Sequence, residues 1–393
     1  MKFRFLRHVL LPVLLLCLLG CSSNSSLVSN SSGLLFVTAQ ANTTVSVYGV
    51  NLTSGSLSTV GSSAGTGTAP AGVVTVLTAD ALFVSNSGSN SVSGYTVNSD
   101  GSLTAASGTT ATGKSPMGLA VDPGGKFLFV ANQGSSDISV FSINGTTLKA
   151  VPGSPFTTIP VGYSYQNGTL PVSLAVSFSG NYLYVANQLA NFVSVFAINS
   201  SSGALTPLGV PFYTVGTSPS GVGLSPKGGF LYVMNAGADS NNVSAFAICD
   251  VVVTSCSVPT KPDGTLTPVT GSPFSAGLGP VSIAFDPTFN FAYVVDQGSN
   301  TISQYAWGPG NGSLTPLSPT TISTGLTPVG MVIFAGTTGT TTNGVTNPTD
   351  YAYVANNGAG TISMYTLTTS TGLLNVLGMP VVAFGQLSAV TAR

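Results

Sequence analysis

Charge is what this chain has least of. Only 5% of its 393 residues are charged, no Glu occurs, the one His is His8, and the only Arg beyond residue 7 is the terminal Arg393. With the first 21 residues set aside, six basic residues face ten Asp, a net charge of about −4. That balance excludes binding to a nucleic acid backbone, which needs clustered cations. Gly-x-Gly-x-x-Gly is missing from any strand-to-helix setting, so no dinucleotide or phosphate loop and no cofactor is expected. Cysteine is limited to Cys17, Cys21, Cys249 and Cys256, and two thiols with no His nearby make a poor zinc site, so no metal is expected either. The longest apolar run, Val9 to Leu19, is too short for a stable transmembrane helix.

What fills the gap is Gly, Ser, Thr and Asn, together with 43% hydrophobic residues that fall in short regular runs. Such a chain folds, because it has enough apolar surface to bury. The N-terminus points to export. Lys2, Arg4 and Arg7 form a basic region ahead of the apolar run, as in a secretory signal. Leu18-Leu19-Gly20-Cys21 resembles the lipobox of bacterial lipoproteins, which implies acylation at Cys21 and anchoring by lipid alone. Residues 1–21 then form the signal and lipobox, 22–32 a flexible Ser/Asn tether, and 33–393 the folded body. The expected location is the cell envelope, periplasmic or outer. Cys249 and Cys256 are spaced to cross-link a local hairpin, and an oxidising compartment favours that disulfide.

One phrase recurs seven times: a small apolar residue, an aromatic, Val, and usually Asn shortly after. It reads Leu35-Phe36-Val37, Leu82-Phe83-Val84-Ser85-Asn86, Leu128-Phe129-Val130-Ala131-Asn132, Leu183-Tyr184-Val185-Ala186-Asn187, Leu231-Tyr232-Val233-Met234-Asn235, Ala292-Tyr293-Val294-Val295-Asp296 and Ala352-Tyr353-Val354-Ala355-Asn356. The aromatics are 47, 46, 55, 48, 61 and 60 residues apart, and the short gaps match four-stranded propeller blades. The fullest copy, Pro116 to Val151, contains four β-rich runs separated by Asp-Pro-Gly-Gly and Asn-Gly turns. The fold class is therefore all-β, a seven-bladed β-propeller. The first copy lacks its opening strand, and Leu387-Ser388-Ala389-Val390-Thr391 at the other end is expected to supply it and close the ring.

Blade topology puts the ends of the second strands on one face, at the channel mouth. The expected ligand rim is Asn86, Asn132, Gln133, Asn187, Gln188, Asn235, Asp296, Gln297, Asn356 and Asn357, joined by Tyr163 and Tyr165 from an insertion over residues 159–170. Amides with Tyr suit a small molecule, a carbohydrate or a protein backbone. Asp296 stands out as the acid in an Asn position. Other Asp residues, among them Asp100, Asp122, Asp263 and Asp286, sit in turn phrases where a carboxylate bonds local amides. Two further insertions, 249–262 and 335–350, fall on the opposite face, the second as a Thr/Gly/Asn-rich mobile loop.

Pro-x-Gly-Leu-Ala-Val-Asp-Pro-Gly-Gly-Lys-Phe-Leu-Phe-Val-Ala-Asn, the Gly-x-Leu-Thr-Pro motifs at 203–207, 264–268 and 312–316, and Gly-Ser-Pro-Phe at 153–156 and 271–274 give the body a family likeness. It resembles the lactonase-like seven-bladed propellers, which include 6-phosphogluconolactonases. The resemblance implies a lactone hydrolase with His, Glu and Arg at the channel mouth, and none of those residues can be carried over to this body. No catalytic residue is therefore assigned. The expectation is an exported, lipid-anchored binding or scaffolding module, with an active lactone hydrolase as the alternative.

Overall fold

The computed structural model describes residues 32–160, 162–164, 166–250, 263–337, 339–342, 345–383 and 385–393. Cys21, Tyr165 and Cys256 lie outside them, and with them the expected signal, most of the tether and one partner of the expected disulfide. The described residues form seven antiparallel sheets. The inner strands are Pro70–Val76, Pro116–Val121, Pro171–Val176, Pro219–Leu224, Pro280–Phe285, Pro328–Phe334 and Leu387–Ala392, and each touches the next around a closed ring. Successive strands of each blade pair outward, and the fourth is split into two short pieces in blades one, three, five and seven. No helix among the described residues is long and apolar enough to cross a membrane.

Blade one is completed from both ends of the chain. Leu387–Ala392 runs antiparallel to Ser32–Ala39, with Phe36 opposite Thr391 and Val37 opposite Val390. Leu34 and Arg393 exchange both backbone hydrogen bonds at 2.9 Å. The Thr38 and Ser388 hydroxyls meet at 2.9 Å, and the Arg393 guanidinium pairs with Asp80 of blade two.

The repeated phrase forms the second strands because these are buried on both faces. From blade two to blade six all six residues of each are buried, so the strand reads as a continuous apolar run and not as an alternation. Successive side chains point to opposite faces, so each strand feeds two cores. Leu35 and Val37 pack with Tyr353 of blade seven, while Phe36 packs with Leu82 and Val84 of blade two. Seven such clusters exist, one between each pair of neighbouring blades. The aromatic always faces forward. In blades four to seven it is a Tyr whose hydroxyl donates to a turn carbonyl of the next blade: Tyr184 to Gly264, Tyr232 to Gly312, Tyr293 to Gly372 and Tyr353 to Gly55, at 2.7–3.2 Å.

The 335–350 insertion includes paired strand: Gly339–Thr342 pairs with the start of a twelve-residue strand, Val345–Asn356, that continues into the second strand of blade seven. A Thr-rich segment has the β-branched content that favours this extended form.

Ring closure generates the first prediction. Deleting 387–393 removes the inner strand of blade one and leaves the edge of Ser32–Ala39 open. Losing about six backbone hydrogen bonds at roughly 1 kcal/mol each, with the packing they hold, should cost on the order of 5 kcal/mol or more. Thermal unfolding followed by circular dichroism should show an earlier, broader transition, and size-exclusion chromatography should show self-association; an unchanged melt would contradict the closure.

Candidate functional site at the channel mouth

Blades two to seven each enter through a Pro that lies opposite the end of the second strand: Pro70 opposite Asn86, Pro116 opposite Asn132, Pro171 opposite Asn187, Pro219 opposite Asn235, Pro280 opposite Asp296 and Pro328 opposite Asn356. A Pro start suits an inner strand, whose first amide has no ladder partner to lose. Every one of these turns is then closed in the same way. The amide after the second strand donates to the carbonyl before the Pro, as in Gln133 to Ser115, Gln188 to Leu170, Gln297 to Gly279 and Asn357 to Thr327.

These bonds fix which residues reach the mouth, and they divide the expected rim in two. Asn86, Asn132, Asn187, Asn235, Asp296 and Asn356 are fully buried. They are clips between the second and third strands and not rim contacts. Each Asn amide donates to a Ser of the third strand, at 2.9–3.0 Å: Ser93, Ser139, Ser194, Ser244 and Ser363. On all of these clips but Asn187, a glycine of the entering loop packs directly. A Cβ at Gly113 would lie 2.7 Å from the Asn132 carboxamide, and one at Gly277 2.6 Å from Asp296 Oδ2. The sequence signal for this role was present: a Ser stands seven residues after the Asn in four of the five cases, and nine after Asn235.

Gln133, Gln188, Gln297 and Asn357, each in the position after a clip, are half-buried. Gln133 Nε2 donates to Gln188 Oε1 at 3.3 Å, joining blades three and four. Asn357 Nδ2 donates to the Leu387 carbonyl at 2.7 Å, tying blade seven to the closing strand. Lys114 is exposed on the loop entering blade three, as are Leu278 and Leu326 on the loops entering blades six and seven. Tyr163 is exposed but packs edge-on against Phe212 at 5.3 Å, and Phe212 lies on the outer strand of blade four against Phe192. Tyr163 therefore sits over the flank of blade four.

Sequence reasoning missed a second set of Asn residues. Asn90, Asn191, Asn241 and Asn300 stand in left-handed conformation in the turns after the second strand, which Asn tolerates. Their side-chain oxygens accept the amides of Ser115, Ser218, Gly279 and Thr327 at 2.6–2.8 Å, stitching each blade to the entry of the next. Two more acids also lie on this face, Asp137 and Asp239; Asp137 accepts from Asn132 Nδ2 at 2.6 Å.

Asp296 departs from the other clips in polarity. A carboxylate cannot donate, so the bond reverses and Ser303 Oγ donates to Oδ2 at 2.7 Å. Oδ1 is buried without a partner. Burial pushes this carboxyl up to about 6, against the lowering effect of the Ser303 and Thr301 hydroxyls. No group of three or more His, Cys, Asp or Glu that could hold a metal ion occurs among the described residues. The loops of this face thus carry neutral amides, which both donate and accept, with isolated Leu side chains, the ammonium of Lys114, half-buried Asp137 and exposed Asp239.

A family model described as Lactonase, 7-bladed beta-propeller, matches residues 59–152, 153–251 and 221–380. Solved structures give the same fold. A Bacteroides uniformis protein provisionally named 6-phosphogluconolactonase is 18% identical with a TM-score of 0.74, over 93% of this chain and 100% of its own. A similarly named Bacteroides fragilis protein is 20% identical with a TM-score of 0.74, over 94% and 100%. The Pseudomonas aeruginosa periplasmic gluconolactonase is 18% identical with a TM-score of 0.71, over 92% and 98%. Identities this low carry the fold alone. No curated protein matches the chain.

The reversed clip predicts a pH-dependent stability. The folded-state value of Asp296 lies above the 3.8 of an ordinary Asp, so its contribution is intact below about pH 4 and is lost as pH rises through about 6. Asp296→Asn restores the neutral clip of the other blades. Its stability relative to the parent should rise between pH 4 and pH 8 by up to about 3 kcal/mol. Denaturant unfolding across that range measures this, and parallel curves would show that Asp296 does not titrate there.

Proposed function

The chain belongs to the seven-bladed lactonase β-propeller family, and from that premise we propose that it is an exported, lipid-anchored binding module. Its channel mouth takes a neutral ligand rich in hydroxyl or amide groups, a carbohydrate or a peptide backbone. One observation carries this reading: the side chains offered at the mouth include Gln133, Gln188, Gln297 and Asn357, while the body has no His, no Glu and no Arg other than Arg393. Amides orient a ligand by hydrogen bonds but do not move protons near neutral pH, as general acid-base catalysis requires. Arg393 is spent on Asp80 at the closing strand.

The second reading, an active lactone hydrolase, draws on the gluconolactonase names of the structural neighbours. It would use Asp296 as its base, a carboxyl that burial raises to about 6. Against it stands the complete burial of Asp296 behind Gly277.

Two measurements test these proposals. Incubated with 6-phosphogluconolactone, the purified protein should hydrolyse it no faster than buffer. Turnover that disappears in Asp296→Asn would make the hydrolase reading the right one. Replacing Cys21 with Ser should move the protein from the membrane to the soluble fraction of its host, and persistent membrane association would remove the lipid anchor from the proposal.

A further inference from the structure

The face opposite the mouth holds a cavity of about 310 Å³ between blades four, five and six, lined by Phe178, Pro226, Lys227, Phe230, Trp307 and Pro309 together with Ser225 and Gly229. That volume is at the small end of the range for small-molecule sites, and its walls are of the apolar and aromatic kind such sites use. Two of the lining residues are departures from the sevenfold repeat.

Trp307 ends the third strand of blade six, opposite Leu314. The equivalent residues are Val50, Val97, Ile143, Ile198, Ile248 and Leu367, each likewise opposite a Leu. Six blades fill this place with an aliphatic side chain, and one carries the only Trp of the protein. The indole is fixed: Nε1 donates to Tyr232 Oη at 2.7 Å and the ring packs edge-on against Phe285 at 5.3 Å. Phe178 is the second departure. In the turn between the first and second strands its position is Pro in blades three, five and six, namely Pro123, Pro226 and Pro287. In blade four it is a Phe that is 56% exposed, leaning onto Gly228 of blade five so closely that a Cβ there would lie 2.5 Å from Phe178 Cβ. Repeat symmetry explains neither residue, and the fold places both in one concavity.

Lys227 supplies the polarity. It is exposed in the turn of blade five and is the only charged side chain among the described residues that line the cavity. Arg393–Asp80 is the one ion pair among the described residues. Three acids among the described residues are buried on this face, and each accepts a backbone amide: Asp250 that of Ser179 at 3.4 Å, Asp286 those of Thr288, Asn290 and Phe291, and Asp350 that of Gly336 at 3.1 Å. We propose that this cavity is a second binding site, for a small aromatic carboxylate. The ring of the ligand would lie among Phe178, Phe230 and Trp307, and its carboxylate would meet Lys227. Aromatic pairs of this kind contribute beyond the area they bury, and a charge-assisted hydrogen bond sets the polarity of the ligand.

Because Trp307 is the only Trp, its fluorescence excited at 295 nm reports the site directly. Titration of the whole protein with 3-phenylpropionate should give a saturable change in intensity and wavelength. Lys227→Met should weaken binding roughly tenfold, the scale of one charge-assisted hydrogen bond. 3-Phenylpropionamide should bind the parent about as weakly as the acid binds Lys227→Met, and should be indifferent to that substitution. Phe178→Ala, at an exposed side chain, should weaken both compounds equally. All three proteins should melt at the same temperature, which separates lost binding from lost folding. The absence of a saturable change would overturn the proposal. So would equal affinity of the acid for the parent and Lys227→Met, or binding untouched by Phe178→Ala.

Discussion

The antiparallel pairing of Leu387–Ala392 with Ser32–Ala39 is the constraint on which the rest of this molecule depends. Each hydrophobic core here lies between two blades, so no blade can bury both faces of its second strand alone. An open row of seven blades would leave two such faces in water, one at each end, with the unpaired edges that invite association. Joining the ends converts two exposed faces into the cluster of Leu35, Val37, Tyr351 and Tyr353. It also ties the mouth together, because the Asn357 amide at the rim bonds the Leu387 carbonyl of that closing strand.

Once the ring is closed, the repeat determines where chemistry can occur. A residue retained in every blade is held by the needs of every blade. Asn132 and its counterparts join the second strand to a Ser of the third and are fully buried. The Tyr hydroxyls of blades four to seven are likewise spent on the next blade, and burial raises their proton affinity so that they stay donors. What distinguishes one blade from another lies in the positions that vary, such as the Gln pair at 133 and 188, Phe178 and Trp307.

This division explains what could be read from the sequence. The phrase around Phe129 gave the blade count, and the missing first strand of blade one together with the tail after Phe384 gave the closure. Both are matters of spacing, which the chain carries in one dimension. The depth of Asn132 is a different matter. Its place at the end of an apolar strand suggests a rim residue, and only the arrival of Gly113 from the preceding loop seals it in. The interblade bonds of Asn90 and Asn191 stayed hidden because each joins a turn to a residue 25 or 27 positions away, in the next blade. The cavity beside Trp307 takes walls from three blades, so no single repeat contains its pattern.

The choice between binding and hydrolysis turns on access to one carboxyl. Asp296 has the proton affinity of a base that could work near neutral pH, and burial is what confers it. A base must also come within hydrogen-bond reach of the proton it takes. Asp296 Oδ2 is engaged by Ser303, Oδ1 is enclosed, and Gly277 lies against the group. The property that would make Asp296 useful therefore arises from the same packing that keeps a ligand away. Opening that packing would hydrate the carboxyl and return it toward an ordinary Asp, a weak base near pH 7. Reach and basicity thus oppose each other at this position.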